Sequence, residues 1–428
     1  MSRKSSLLKR MAMLVLLIFG ALLGAASAQT ESVLYSFCAQ NNNCTDGANP
    51  YAGVVLDQKG NLYGTTVCGG LNGDCSNCFG PCGVVFKLTP EGKETVLYSF
   101  CMQTNCADGE EPAAGLIFDR KGNLYGTTEY GGANNDGVVF ELTPKGKYRV
   151  LYNFCAQDNC RDGMTPQVGL VLDQQENLYG TTQYGGSYGG GVVFKVTPAG
   201  KETVLYSFCA QGPPCTDGAN PLASLVFDQQ GSLYGTTYRG GDQPGCGGYG
   251  CGLVFKLTLE GKETVLYSFC AQANCADGAQ PGAGLVSDRK GNLYGTTSGG
   301  GAYQGGVVFK LTPKRKESVL YGFCAQSNCA DGALPLAGPV FDNRGNLYGT
   351  TPYGGASRAG VVFKLTPKGK ETVLYSFCAQ GCTDGATPYA GVVFDQKGNL
   401  YGTTQYGGFS NYPTDCYKGC GVVFKLTP

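Results

Sequence analysis

Seven times along this sequence a pair of cysteines is followed by an aspartate and a glycine, and these are the first groups whose type and spacing could do chemistry. The acids are Asp46, Asp108, Asp162, Asp217, Asp277, Asp331 and Asp384. A ring of carboxylates could hold Ca²⁺ or read the hydroxyls of a sugar. Asp before Gly also caps a tight turn, and a Ca²⁺ site takes six or more oxygens at one place. The expectation is therefore a turn-forming role.

A second set is aromatic. Tyr130, Tyr184, Tyr353 and Tyr406 occupy one equivalent position in Gly-rich loops, where other copies carry Cys68, Arg239 and Gly299. Tyrosine has an apolar ring and a polar tip, suited to stacking on a sugar or anchoring a protein partner. Packing over its own loop is the competing reading. Tyr130, Tyr184, Arg239, Tyr353 and Tyr406 form the candidate binding set.

The chain has no His. Ser-His-Asp and Cys-His arrangements and His-based metal sites are thereby removed. A two-carboxylate glycosidase or polysaccharide lyase stays open as an alternative. Glu110 and Glu111 break the repeat, but no partner acid stands out in the sequence. No catalytic residue, metal site or cofactor is expected.

Cysteine number and spacing point to disulfides. There are 22 Cys. Pairs expected once per copy are Cys38–Cys44, Cys101–Cys106, Cys155–Cys160, Cys209–Cys215, Cys270–Cys275, Cys324–Cys329 and Cys378–Cys382. Insertions add Cys246–Cys251 and Cys416–Cys420, and a cluster of Cys68, Cys75, Cys78 and Cys82 whose pairing the spacing leaves open. A tetrathiolate zinc site is the alternative for that cluster; an oxidising compartment favours disulfides. A bridge closing about five residues is worth roughly 2 kcal/mol, enough to stiffen a loop.

These groups hang on a repeated set of strands. The block Gly-Asn-Leu-Tyr-Gly-Thr-Thr begins at Gly60, Gly122, Gly291, Gly345 and Gly398, with variants at Glu176 and Gly231. In the second copy an apolar run, Ala114 to Asp119, is followed by strands at 124–128, 137–142 and 150–154, separated by Gly, Pro and Asp turns. The valines opening the last strand, Val33, Val96, Val150, Val204, Val265, Val319 and Val373, are 63, 54, 54, 61, 54 and 54 residues apart. Four short strands in about 50 residues, repeated, predict an all-β fold: a β-propeller with four-stranded antiparallel blades. Residues 29–428 then form one seven-bladed domain.

The first copy supplies a last strand with nothing before it, and the final copy lacks one. Residues 33–37 are therefore expected to pair with 421–426 and close the ring. The Gly of each Leu-Tyr-Gly is expected to admit an adjacent sheet, and Pro339 sits awkwardly in a first strand. The Cys loops and the Tyr-Gly-Gly loops fall on one face, the expected binding surface.

Residues 1–28 read as a cleaved signal peptide, with basic Arg3, Lys4, Lys9 and Arg10, an apolar run from Met11 to Leu23 and Ala26-Ser27-Ala28. The run is short for a membrane span. Without the leader, 28 basic residues stand against 32 acidic ones. No basic stripe invites nucleic acid. An exported chain, periplasmic or extracellular, with no membrane span after cleavage, is expected.

The motif Gly-Asn-Leu-Tyr-Gly-Thr-Thr, with Gly-Val-Val-Phe-Lys-Leu-Thr-Pro and Val-Leu-Tyr-Ser-Phe, resembles the GloVer-type tandem repeat of exported bacterial proteins, over essentially all of the chain after the leader. The strand order is similar to NHL-like propellers. The resemblance implies a bacterial exported repeat protein of unassigned biochemical function, with no catalytic residues to carry over. Many such relatives carry a C-terminal surface anchor; this sequence stops at Leu426-Thr427-Pro428. The leading expectation is a non-enzymatic scaffold binding a glycan or an extracellular protein, the alternatives being the carboxylate enzyme above and a structural envelope or matrix component.

Overall fold

The structure is a computed structural model that describes residues 30–39, 44–72, 78, 82–243, 245–379, 381–409 and 419–427. The leader expected at 1–28, Cys75 and Cys416 lie outside the described residues. The described residues form 28 strands in seven four-stranded antiparallel sheets. In the first complete sheet β2 (Val55–Leu56), β3 (Leu62–Thr66), β4 (Val84–Leu88) and β5 (Glu94–Ser99) lie in that order. The fold is the expected seven-bladed propeller.

The ring closes as the sequence pattern requires. β1 (Thr30–Ser36) pairs antiparallel with β28 (Val422–Thr427), which continues through β27 (Leu400–Thr404) to β26 (Val393–Phe394). The Phe37 amide also donates to the Gly421 carbonyl, at 3.0 Å. Each outermost strand carries a register shift, as between Val85 and Phe86 opposite Tyr98 and Val96. Such a bulge adds twist and blunts an edge that could otherwise pair with another chain.

The innermost strands are two residues long, shorter than the apolar runs suggested. Just before them, Gly53, Gly115, Gly169, Ser224, Gly284, Gly338 and Gly391 meet round the axis. A Cβ on Gly338 would lie 2.4 Å from the Gly284 carbonyl oxygen, and one on Gly391 would lie 3.0 Å from that of Gly338. Where the backbones converge this closely a side chain has no room, whereas Ser224 carries one and a Cβ on Gly115 would meet nothing within 4 Å. Pro339 precedes β22 (Val340–Phe341), so it interrupts no ladder.

One seam, repeated, joins each blade to the next. The Phe after each outermost strand meets the Phe of the next blade's third strand edge to face: Phe37 with Phe86 at 5.0 Å, Phe100 with Phe140 at 5.3 Å, and so on round to Phe377 with Phe424 at 5.1 Å. All of these rings are buried. The Leu-Tyr-Gly glycine makes room for this ring rather than for an adjacent sheet. Gly64 lies opposite Phe86 within its own sheet, and a Cβ there would come 2.7 Å from the ring. The first Thr of Thr-Thr latches the seam near the axis, Thr65 Oγ1 donating to the Ala114 carbonyl at 3.0 Å and Thr403 Oγ1 to that of Ala52 at 2.8 Å. The second Thr closes its own loop, as Thr66 does with the Cys68 carbonyl. A buried Phe truncated to Ala costs about 3–5 kcal/mol and a lost hydrogen bond about 1 kcal/mol, so the ring pairs dominate the seam.

Carboxylates occupy both ends of the blades. At the short turns Asp57 accepts from the Lys59 and Asn61 amides, the Asn61 side chain and the Tyr63 hydroxyl. Burial pushes its carboxyl up, but these donors outweigh that and hold it below the ordinary value. Asp173, Asp228, Asp288, Asp342 and Asp395 are lowered likewise.

Between the outer strands the balance reverses. Glu94 lies within electrostatic reach of Asp46, Glu202 of Asp162, Glu263 of Asp217, Glu317 of Asp277, Glu371 of Asp331 and Glu31 of Asp384. One oxygen of each Glu is buried without a hydrogen-bond partner. Burial first, then the neighbouring Asp, pushes these six carboxyls up to about 7. At the remaining seam Tyr148 replaces the Glu, stacks on Tyr98 at 3.9 Å and donates to the Asp108 carbonyl.

Two predictions follow from the seam. The Thr403→Val variant leaves the Ala52 carbonyl short of a donor and loses about 1–3 kcal/mol. Thr181, whose following copy carries Ser224 at the axis, has a buried hydroxyl with no partner; Thr181→Val is neutral or stabilising. Denaturant midpoints of the two variants check this. The second concerns pH. A Glu with a folded-state pKa above its ordinary 4.5 contributes stability that is fully present below 4.5 and lost as pH rises through about 7. The turn aspartates act oppositely, their contribution lost as pH falls through their lowered values. Stability is greatest between these limits and declines towards pH 8, and Glu94→Gln makes that decline shallower in thermal melts.

Candidate functional site

The loop face is built on the cysteine loops. Cys38–Cys44, Cys101–Cys106, Cys155–Cys160, Cys209–Cys215, Cys270–Cys275, Cys324–Cys329 and Cys378–Cys382 are disulfides. So are Cys246–Cys251 and, in the first insertion, Cys68–Cys78. Cys82 and Cys420 are disulfide-bonded as well; the pairing of Cys416 lies outside the described residues. With Cys68 bound to Cys78, that cluster does not offer four thiolates to zinc.

The repeated Asp organises each cysteine loop. Asp162 accepts from the Tyr152 hydroxyl at 2.7 Å, the Ala156 amide at 2.8 Å and the Gln157 amide at 3.1 Å. Asp277 and Asp331 repeat this set. Where the cysteines stand six or four apart, at Asp46, Asp217 and Asp384, one carboxylate oxygen is left without a partner. Amide and hydroxyl donors around a carboxylate fit a turn, not a cation.

Next along the chain comes a strained corner. The residue before each loop-face proline is left-handed: Asn49, Glu111, Thr165, Asn220, Gln280, Leu334 and Thr387 have φ of 54–59°. Thr and Leu are costly there, and such strain persists only where the surroundings impose it. Here each proline packs on the glycine that opens the third strand of the preceding copy, as Pro112 does on Gly83. The corner delivers the residue after the proline to the loop-face end of the axis, two positions before the axial glycine. Those residues are Tyr51, Ala113, Gln167, Leu222, Gly282, Leu336 and Tyr389.

Tyrosines gather there. Tyr51 stacks on Tyr389 with ring centres 4.8 Å apart and planes at 21°. The Tyr389 and Tyr353 hydroxyls are 3.3 Å apart. Tyr51 is 40% exposed and Tyr353 42%, so the cluster is open to solvent. Burial pushes the Tyr51 hydroxyl up, helped by the charge of Glu129 and by Tyr353 and Tyr406. Glu129 accepts from the Gln167 side-chain amide and from the Tyr130 hydroxyl. Its carboxyl is raised by burial, partly offset by those two donors. Tyr130 is pushed up to about 12 by burial and by Glu129.

Of the sequence candidates, Tyr353, Tyr406 and Tyr130 lie in this cluster, and the exposed Tyr184 reaches it through Tyr130. Arg239 lies elsewhere, its guanidinium 5.0 Å over the ring of Tyr249 in its own copy's insertion. Tyr51, Tyr389, Gln167 and Glu129 are mouth residues that the sequence pattern did not mark. The first three stand one residue before the apolar runs, at a position that varies from copy to copy. Glu129 carried a signal: its equivalents are Val67, Gln183, Tyr238, Ser298, Pro352 and Gln405, so it is the one acid at a seven-fold position.

Aromatic faces beside one carboxylate and one amide can stack on a ring and bond its polar substituents. Among solved structures, a protein of unknown function from Dyadobacter fermentans is 12% identical, with 94% of this chain and 98% of that one covered and a TM-score of 0.45. A gluconolactonase from Xanthomonas campestris is 13% identical, covering 73% of this chain and 83% of that one, with a TM-score of 0.41. A luciferin-regenerating enzyme is 14% identical, covering 74% and 91%, with a TM-score of 0.44. Likeness at this level carries no argument about activity. No curated protein matches. A family model described as the Gloeobacter/Verrucomicrobia repeat matches residues 21–247 and 244–428, spanning every blade described above. The chain belongs to the Gloeobacter/Verrucomicrobia repeat family.

Proposed function

We propose that this protein is a non-enzymatic scaffold that binds a glycan at the axial mouth of its loop face. The observation carrying this reading is the solvent-open stack of Tyr51 on Tyr389, with Tyr353, Tyr406 and Tyr130 around it and the Glu129–Gln167 pair at its side. A sugar ring presents C–H faces to aromatic rings and hydroxyls to a carboxylate and an amide. Further rings are exposed on the surrounding loops, at Tyr188, Tyr249, Tyr303 and Phe409, so a longer chain could extend outwards from the mouth. The disulfides fit a protein that works outside the reducing cytoplasm, in the periplasm or beyond the cell, where glycans are met. No helix among the described residues is long and apolar enough to cross a membrane.

The chain has no Trp and 27 Tyr, so its intrinsic emission is that of tyrosine, the mouth rings contributing part of it. Titration of the oxidised full chain with a panel of neutral oligosaccharides is expected to change that emission saturably. Tyr389→Ala, with an unchanged melting temperature, is expected to weaken binding about tenfold, the equivalent of ~1.4 kcal/mol. A folded protein that binds none of the panel, or a Tyr389→Ala variant that binds as tightly as the parent, overturns the reading.

A further inference from the structure

We infer that the preferred sugar is cationic: an amino sugar whose free ammonium is received by Glu129 within the ring of tyrosines. This rests on the glycan reading above and goes further by naming the charge of the ligand. The argument starts from a missing partner. Glu129 has two polar neighbours, the Gln167 amide and the Tyr130 hydroxyl, and both are neutral. The ion pairs among the described residues are Lys121–Glu176, Arg149–Glu141 and Lys256–Asp228, all away from the mouth. The basic residues on the described loops of this face are Arg161, Arg239 and Arg358. Arg239 is taken up by Tyr249, Arg358 points to Asn328, and the groups acting on Glu129 are Tyr130 and Gln167, not Arg161.

Among the described residues the mouth thus holds a half-buried carboxyl with no countercharge, and a cation brought by the ligand would supply it. The tyrosines point the same way. On the blades the repeat places a lysine over its Leu-Tyr-Gly tyrosine, as Lys87 over Tyr63 at 5.7 Å, Lys256 over Tyr234 at 5.2 Å and Lys364 over Tyr348 at 5.4 Å. The mouth tyrosines have no such lysine among the described residues, while their rings and the nearby carboxylate form the surroundings that favour an ammonium group. Three ammonium donors also match the acceptor sites that Gln167 and Tyr130 leave free on the carboxylate. Acetylating the amine removes the charge and adds bulk, so the same sugar in N-acetylated form should lose that interaction and keep only stacking.

The test compares glucosamine tetramer with N-acetylglucosamine tetramer, on the oxidised full chain and on Glu129→Gln, at a pH where the free amine is protonated. Tyrosine emission and calorimetry read the binding, and thermal melting confirms that the variant is folded. The parent is expected to prefer the glucosamine tetramer about tenfold or more, with an affinity that falls as salt is raised. Glu129→Gln is expected to abolish the difference between the two tetramers. Equal binding of the two by the parent, or a preference for glucosamine that survives Glu129→Gln, overturns this inference and leaves the glycan reading standing. Binding of neither tetramer, nor of any neutral oligosaccharide, overturns the glycan reading and this inference with it.

Discussion

Edge-to-face contact between two phenylalanines, made once at every blade junction, is the constraint on which the rest of the molecule depends. Phe86 lies over Gly64 of its own sheet and is clamped by Phe37 of the preceding blade. The same three-part contact recurs at each seam, ending with Phe424 between Gly402 and Phe377. A side chain larger than hydrogen at Gly64 would displace the ring, and with it the partner from the neighbouring blade. This couples the blades sideways, as the hydrogen-bond ladders couple strands within a blade. Threonine latches and Glu–Asp contacts, each missing from one seam, flank the rings.

Because the seam is the same all round, the two rims are free to differ. The short-turn rim is a set of closed polar networks in which each Asp is saturated by its own turn. The opposite rim carries the variation: insertions in three copies, tyrosines in some and not others, and Glu129 in one. The mouth is asymmetric although its frame is seven-fold. Rings and polar groups from copies one, two, three, six and seven include the Tyr51–Tyr389 stack and the Glu129–Gln167 pair, while copies four and five place Leu222, Tyr238, Gly282 and Ser298 at the equivalent positions. A repeated frame with an unrepeated mouth can recognise one ligand in one orientation.

The frame was legible in the sequence because each of its parts recurs. Short apolar runs, Gly, Pro and Asp turns at a regular spacing, and the lone opening strand were enough to give strands, blades and closure. The role of the Leu-Tyr-Gly glycine was not, because a glycine that admits a ring from its own sheet looks the same in sequence as one that admits a neighbouring sheet. The mouth was only partly legible. Tyr353, Tyr406 and Tyr130 stood out as loop aromatics, but Tyr51 and Tyr389 stand just before the apolar runs, at a position that varies from copy to copy. Only the left-handed turn before each proline, a backbone property that Leu334 and Thr387 do not advertise, carries them to the axis. Pairings across the ring, such as Glu129 with Gln167, join different copies and leave no trace in any one of them.

The pairing of β1 with β28 has a consequence for how the molecule comes into being. Thr30 and Thr427 are partners, yet nearly the whole polypeptide separates them. A growing chain can finish six sheets from neighbouring segments, but the seventh waits for β28. Until then the opening strand has an unsatisfied edge and Phe424 has yet to reach its clamp. The search that brings the two ends together is entropically the longest in the fold. The closing sheet is thus the one whose strands are drawn from the most distant segments of the chain.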